Sequence, residues 1–186
     1  LNTVEPIRDF GILLDIGDVI RERRERDYVL YMSALYLGRR ISDILPLKVR
    51  DIKNLDYLYL REDKTNKEAV IEIHEDLKVI YKQYCEGKKD REYLFRRSKG
   101  KNEPITRQWF WRILHEAAKE VGYKEKIGCH SLRKSMGYWM FKNGVDPYTI
   151  MLFLNHSDIA TTKRYIGVTR DDISKATRKV SFTKRR

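Results

Sequence analysis

The stretch from Cys129 to Tyr165, CHSLRKSMGYWMFKNGVDPYTIMLFLNHSDIATTKRY, gathers side chains that could act on a phosphodiester. His130 and Arg133 stand one helical turn apart, so a helix there places them on one face. His156 and Tyr165 follow. A guanidinium offers forked, charge-assisted hydrogen bonds to phosphate oxygens. An imidazole can orient groups or move a proton near neutral pH. A phenol has an ordinary pKa of about 10, so it attacks phosphorus only when nearby cations or a base help it lose its proton.

Cutting a phosphodiester in this way also calls for a second guanidinium and a proton for the leaving oxygen. Removing one donor to the charged transition state typically costs about 10²–10³ in rate. Gly38-Arg39-Arg40-Ile41-Ser42-Asp43 supplies the arginine. Ser42 can cap a short helix beginning at Asp43 and ending near Leu47-Lys48, which puts Arg40 just before a helix start. Asp56–Asp63 and Ala69–His74 alternate apolar and charged residues around the polar KTNK, the pattern of a β-hairpin. Lys64, at the end of the first strand, can reach the leaving oxygen as a general acid, with Lys67 as the fallback. No carboxylate cluster points to Mg²⁺ and no glycine-rich loop points to ATP, so neither metal nor cofactor is expected.

The elements that must position these groups are mostly helical. Residues 1–15 read as a lead-in segment. Ile16 to about Tyr36 reads as one amphipathic helix, with the charged run RERRER on its wet face. Glu75–Glu86, Thr106–Gly122 and His130–Asn143 have helical spacing, each closed by a glycine at or just past its end. Asp146-Pro147 opens PYTIMLFLNH, and Ser157-Asp158 caps IATTKRYIG. A last amphipathic segment spans Thr169–Val180, followed by a basic tail at 181–186. His74 and His115 read as structural.

With 186 residues, the chain suits one domain with a real core. A net charge of +12 favours polyanionic partners, nucleic acid foremost. Cys85 and Cys129 have no metal-ligand spacing and make no disulfide framework. No apolar run approaches the roughly 20 residues of a membrane span, and a cytoplasmic protein is expected.

The ordered set resembles the tyrosine recombinase (phage integrase) family. GRRISDILPLKVRDI is similar to its first arginine box, G-x-R-x-S-[DE], with Arg40 as the catalytic arginine and Asp43 as the supporting acid. KTNKEAVIEI resembles the lysine hairpin and gives Lys64; HSLRKS gives His130 and Arg133; FLNHSDIATTKRY gives His156 and Tyr165. Arg39 stands where an apolar residue is usual. Asn155 replaces the glycine of L-G-H, and asparagine tolerates left-handed backbone.

The resemblance implies an α+β fold, a mostly helical catalytic domain over 16–180 with a small antiparallel sheet and no core-binding domain before it. It implies a site-specific recombinase, working through a 3′-phosphotyrosine intermediate on double-stranded DNA. The assembly would be a homotetramer on DNA and a monomer alone, in a bacterial, nucleoid-associated setting. Arg39, Lys67, Arg107, Lys134, Lys163 and Arg164 are the candidate DNA contacts. A type IB topoisomerase-like strand cutter and a DNA-binding protein without cleavage are the alternatives.

Overall fold

The computed structural model describes residues 4–166 and 177–178. Two antiparallel helices come first, α1 (Phe10–Arg23) and α2 (Glu25–Leu37). The single helix expected over 16–36 is therefore two, and α1 starts inside the lead-in segment. Asp9 caps α1 by accepting from the Ile12 N–H at 3.2 Å. Arg24 breaks the run with extended backbone, φ −164° and ψ 118°. No proline or glycine marks this break. The fold lets α1 turn Ile16 and Ile20, and α2 Val29, Leu30 and Ala34, into one core. The charged run is not wholly wet either. Arg26 and Asp27 are buried, paired at Nε–Oδ1 2.7 Å, and Arg26 also donates to the Arg96 carbonyl.

α2 ends at Gly38, whose backbone is left-handed at φ 58°. A Cβ there would meet the Phe153 ring at 2.5 Å, so the position needs glycine twice over. The next helix, α3, runs Ile41–Ile44 and begins two residues before the expected start. Arg40, not Ser42, sits at its N-cap, because the Arg40 carbonyl already accepts from Asp43 N–H at 2.9 Å.

The sheet is one antiparallel hairpin, β1 (Tyr57–Arg61) with β2 (Glu68–Glu72), in the register Tyr57–Glu72 to Arg61–Glu68. β1 stops before Lys64. Glu62 N–H reaches the Lys67 carbonyl at 2.9 Å and Asn66 N–H reaches the Glu62 carbonyl at 2.8 Å, which closes a turn around Lys64.

α4 (Glu75–Tyr84) is capped by His74, whose Nδ1 accepts from Asp76 N–H, so His74 is structural. α5 (Arg107–Glu120) is capped by Thr106 and buries Phe110, Ile113, Leu114 and Ala117. His115 lies on its exposed side against Trp111. α6 (Cys129–Lys142) runs through the centre, with Leu132, Arg133, Lys134 and Ser135 all buried. Ile7 docks on it: its N–H meets Ser135 Oγ at 2.8 Å and its carbonyl accepts from Trp139 Nε1 at 3.1 Å. α7 (Pro147–Phe153) and α8 (Ile159–Ile166) follow, capped by Asp146 and Asp158. They pack into a separate small cluster of Ile150, Leu154 and Ile166. The expected Thr169–Val180 segment, apart from 177–178, and the tail at 181–186 lie outside the described residues. Among the described residues, no helix is long and apolar enough to cross a membrane.

Candidate active site

α6 carries the centre of the site. Arg133 is 1% exposed, and its guanidinium bridges two elements: Nη1 donates to the Gly38 carbonyl at 3.0 Å and Nη2 to the Leu154 carbonyl. The glycine that ends α2 and the last turn of α7 are thereby pinned to one cation. Two carbonyls take two of its five N–H groups, and Tyr165 is a further hydrogen-bond partner of the guanidinium. Burial lowers the Arg133 pKa, and Tyr165 opposes that shift.

His130 sits on the exposed edge of the pocket, and its Nε2 is hydrogen-bonded to the Tyr165 hydroxyl. The two rings meet edge-on, with centroids 5.3 Å apart. His156 lies on the other side of Tyr165, also edge-on, at 4.5 Å. Its Nδ1 is bonded to Thr162 Oγ1 at 2.9 Å, while its Nε2 is buried with no hydrogen-bond partner among the described residues. Desolvation and the charges of Arg133 and Arg40 lower the His156 pKa to about 4. Desolvation, then Arg133, Lys134, Arg40 and Arg107, lower that of His130 to about 4 as well. His130 is open to solvent on one side, which blunts the desolvation but leaves the ring of cations around it. Both imidazoles are neutral at pH 7 and can accept a proton.

Asn155 sets the aim of His156. Its φ of 53° is left-handed, as its place in L-N-H suggested. The chain turns sharply after α7 there, and His156 N–H closes the turn on the Met151 carbonyl.

Arg40 lies at the pocket's other wall, one-quarter exposed. Its Nη1 is 2.7 Å from Glu62 Oε2, an ion pair that the sequence reading missed. The signal was available: on an alternating strand, Leu58, Leu60 and Glu62 share a face, and Leu58 and Glu62 are both buried. A carboxylate on an apolar face needs a cationic partner. Asp43 is buried too, and its Oδ1 accepts from Asp63 N–H at 3.1 Å, tying α3 to the hairpin.

The pocket thus joins Arg40, His130, Arg133, His156 and Tyr165. Lys64 is not drawn in: it is exposed on the hairpin turn, and among the described residues no hydrogen bond or ion pair ties its side chain to the others. Of the expected DNA contacts, Lys67, Arg107 and Lys163 are exposed, and Arg107 lies beside Cys129 and His130. Arg39 and Lys134 are buried instead. Arg39 turns inward over the Phe153 ring and towards Glu62, and Lys134 Nζ lies 5.4 Å from the centre of the Tyr165 ring. The Arg164 side chain lies outside the described residues. Among the described residues, no group of three or more His, Cys, Asp or Glu is placed to hold a metal ion.

The pattern of the phage integrase family matches residues 13–171, a span that holds most of the fold and the pocket. The chain belongs to that family. It is 39% identical over 171 residues to the probable integrase/recombinase YoeC of Bacillus subtilis (strain 168), covering 92% of this chain and 93% of that one. It is 30% identical over 168 residues to the tyrosine recombinase XerA of Pyrococcus furiosus, covering 89% of this chain but 58% of that protein. A crystal structure of XerA recombinase superposes with a TM-score of 0.77 at 19% identity, over 95% of this chain and 66% of that one. The α+β fold, mostly helical with one small antiparallel sheet, is that of the tyrosine recombinase catalytic domain.

Proposed function

We propose that this chain is the catalytic unit of a site-specific DNA recombinase that breaks and rejoins strands through Tyr165. The observation that carries this reading is the Tyr165 hydroxyl seated on His130 Nε2, within a pocket walled by Arg40, Arg133 and His156. Arg40 and Arg133 bind the non-bridging oxygens of the scissile phosphate. The phenolic proton passes to His130, and the phenolate attacks phosphorus. The Tyr165 Oη–P bond forms as the P–O5′ bond breaks, and the leaving O5′ takes a proton from Lys64. The 3′-phosphotyrosine keeps the energy of the broken strand. An incoming 5′-hydroxyl reverses each step and releases Tyr165.

A net charge of +12 supports double-stranded DNA as the partner. Exposed Arg107, Lys163 and Lys67 are its contacts near the pocket. On DNA the chain works as a homotetramer across two sites; alone it is a monomer, and it acts at the bacterial nucleoid. Covalent trapping on nicked suicide duplexes in EDTA tests the chemistry. A denaturation-resistant protein–DNA adduct is expected, absent in Tyr165→Phe. Tight DNA binding without an adduct would reduce the chain to a binding protein. An adduct without strand exchange between two sites would make it a topoisomerase-like cutter.

A further inference from the structure

We propose that Glu62 is a positioning residue that clasps the Lys64 hairpin turn to Arg40, so that the anion-binding arginine and the proton donor are set by one buried carboxylate. The inference rests on the recombinase reading above and adds a residue to it.

Glu62 is 1% exposed, although it lies one residue beyond the end of a surface strand. Its Oε2 accepts from Arg40 Nη1 at 2.7 Å and from Thr65 Oγ1 at 2.8 Å. Its Oε1 lies 3.5 Å from Arg39 Nη1. One carboxylate therefore holds the segment before α3 with two contacts and the hairpin turn with one. Its backbone adds two more ties, to Lys67 and Asn66. Lys64 stands between Asp63, whose N–H is held by Asp43, and Thr65, whose hydroxyl is held by Glu62. The turn cannot carry Lys64 away from Arg40 without breaking both holds. Lys64 is exposed and its side chain has no tie of its own among the described residues, so its reach depends on where this turn is anchored.

Burial alone would raise the Glu62 pKa, yet Thr65 and Arg40 outweigh it and keep the carboxyl below its ordinary range. The group is thus ionised wherever the enzyme would work. A buried ion pair is a poor source of stability, since desolvation consumes much of the Coulomb energy. A buried carboxylate shared by a guanidinium of the pocket and a turn bearing the proton donor is better explained by positioning. Arg39 supplies the second positive charge that balances Glu62 when Arg40 turns to a phosphate.

The test uses suicide duplexes with either an ordinary scissile phosphate or a 5′-bridging sulfur. A thiolate leaves without a proton, so the sulfur duplex bypasses the general acid but still needs the arginines. On the ordinary duplex, Glu62→Gln should slow adduct formation by about 10²-fold, the scale of an ångström's misplacement, with DNA binding within a few-fold of the parent. On the sulfur duplex, Lys64→Ala should recover fully, Arg40→Ala not at all, and Glu62→Gln in part. Parental rates for Glu62→Gln on the ordinary duplex would overturn the clasp. So would no recovery on sulfur, which leaves Glu62 serving Arg40 alone, or full recovery, which leaves it serving Lys64 alone.

Hydrogen exchange on the free protein decides the same point without catalysis. Amides at 62–67 should exchange several-fold faster in Glu62→Gln while those of α5 keep their protection; unchanged exchange at 62–67 would sink the proposal. If the parent chain forms no adduct on either duplex, the recombinase reading fails, and the exchange result still judges the clasp.

Discussion

The arginine side of the pocket grows out of the large core, whereas the phenol side rests on a small one. Arg40 and Arg133 are rooted in elements that bury Leu30, Leu37, Ile44, Phe110, Leu114 and Leu132 together. His156 and Tyr165 ride on α7 and α8, whose own cluster is Ile150, Leu154 and Ile166. Burying three such side chains is worth about 5–9 kcal/mol at most. So small a cluster does not hold the α7–α8 pair alone, and the pair depends also on the seam it shares with α6. That seam is apolar where Gly137, Met140 and Phe141 of α6 meet Ile150, Leu154 and Ile166, and polar at the site: Arg133 to the Leu154 carbonyl, His130 to Tyr165, and Lys134 over the Tyr165 ring. The anion-binding groups are thus fixed by the large core, while the nucleophile is held by a small cluster together with the chemistry of the site itself. Regions with few buried apolar contacts open at lower free energy than the global fold.

The largest effect should come from cutting the seam at its centre. Arg133→Ala removes a phosphate donor, worth about 10²–10³ in rate. It also leaves the buried Gly38 and Leu154 carbonyls without their partner. Adduct formation should fall by at least that factor. Hydrogen exchange should rise across 147–166 and stay near the parent level in α2 and α5. Equal loosening of both regions would mean that they form one cooperative unit.

Truncating each core in turn sharpens the contrast. Phe110→Ala, in the large core, should cost about 3–5 kcal/mol of global stability. Ile166→Ala, in the small one, removes a comparable contact of about 2–5 kcal/mol, but from a region that opens by itself. Urea melts should show the first as a large shift in midpoint and the second as a small one. Adduct formation should rank the other way, with Ile166→Ala the more damaged in conditions where both are folded.

What the sequence made legible follows the same division. Short-range patterns were readable: the alternating strands of the hairpin, the caps at Thr106 and Asp158, and the left-handed Asn155. The break at Arg24 was not, because no residue there forbids a helix and only the shared core of α1 and α2 demands the turn. The motif residues of the pocket were legible as an ordered set. The burial of Glu62 was readable from the strand alternation but its partner was not, and the inward placing of Arg39 and Lys134 was not readable, since each depends on a partner distant in the chain. Charges were assigned outward by default, and Arg26, Arg39, Glu62 and Lys134 point in.

Acid should open the seam. Both imidazoles have folded pKa values of about 4 against an ordinary 6.5. Between those values the unfolded chain binds protons that the folded chain refuses, so stability rises with pH. The full contribution is present above about pH 6.5 and is lost as pH falls towards 4. Denaturant melts from pH 7 to pH 4 should show this decline, and the double variant His130→Asn/His156→Asn should flatten it. A decline of equal slope in that variant would assign the acid limb to carboxylates.

The smallest expected effect separates two uses of Lys134. It is 5% exposed, and among the described residues no carboxylate pairs with it; its ammonium lies 5.4 Å from the centre of the Tyr165 ring. A cation there favours the phenolate over the phenol. Cation–π contacts are worth about 0.5–2 kcal/mol, and one pKa unit is about 1.4 kcal/mol. In Lys134→Met the alkaline rise of the cleavage rate should therefore move up by about one pH unit. The rate at neutral pH should drop by about tenfold, and the plateau at high pH should match the parent. DNA affinity should hardly change. If Lys134 instead contacts a phosphate, as its place beside the second arginine suggested, affinity should fall and salt dependence should weaken while the pH profile stays put. The two outcomes exclude each other, because a charge spent on the nucleophile within the protein is not released as a counterion site on DNA.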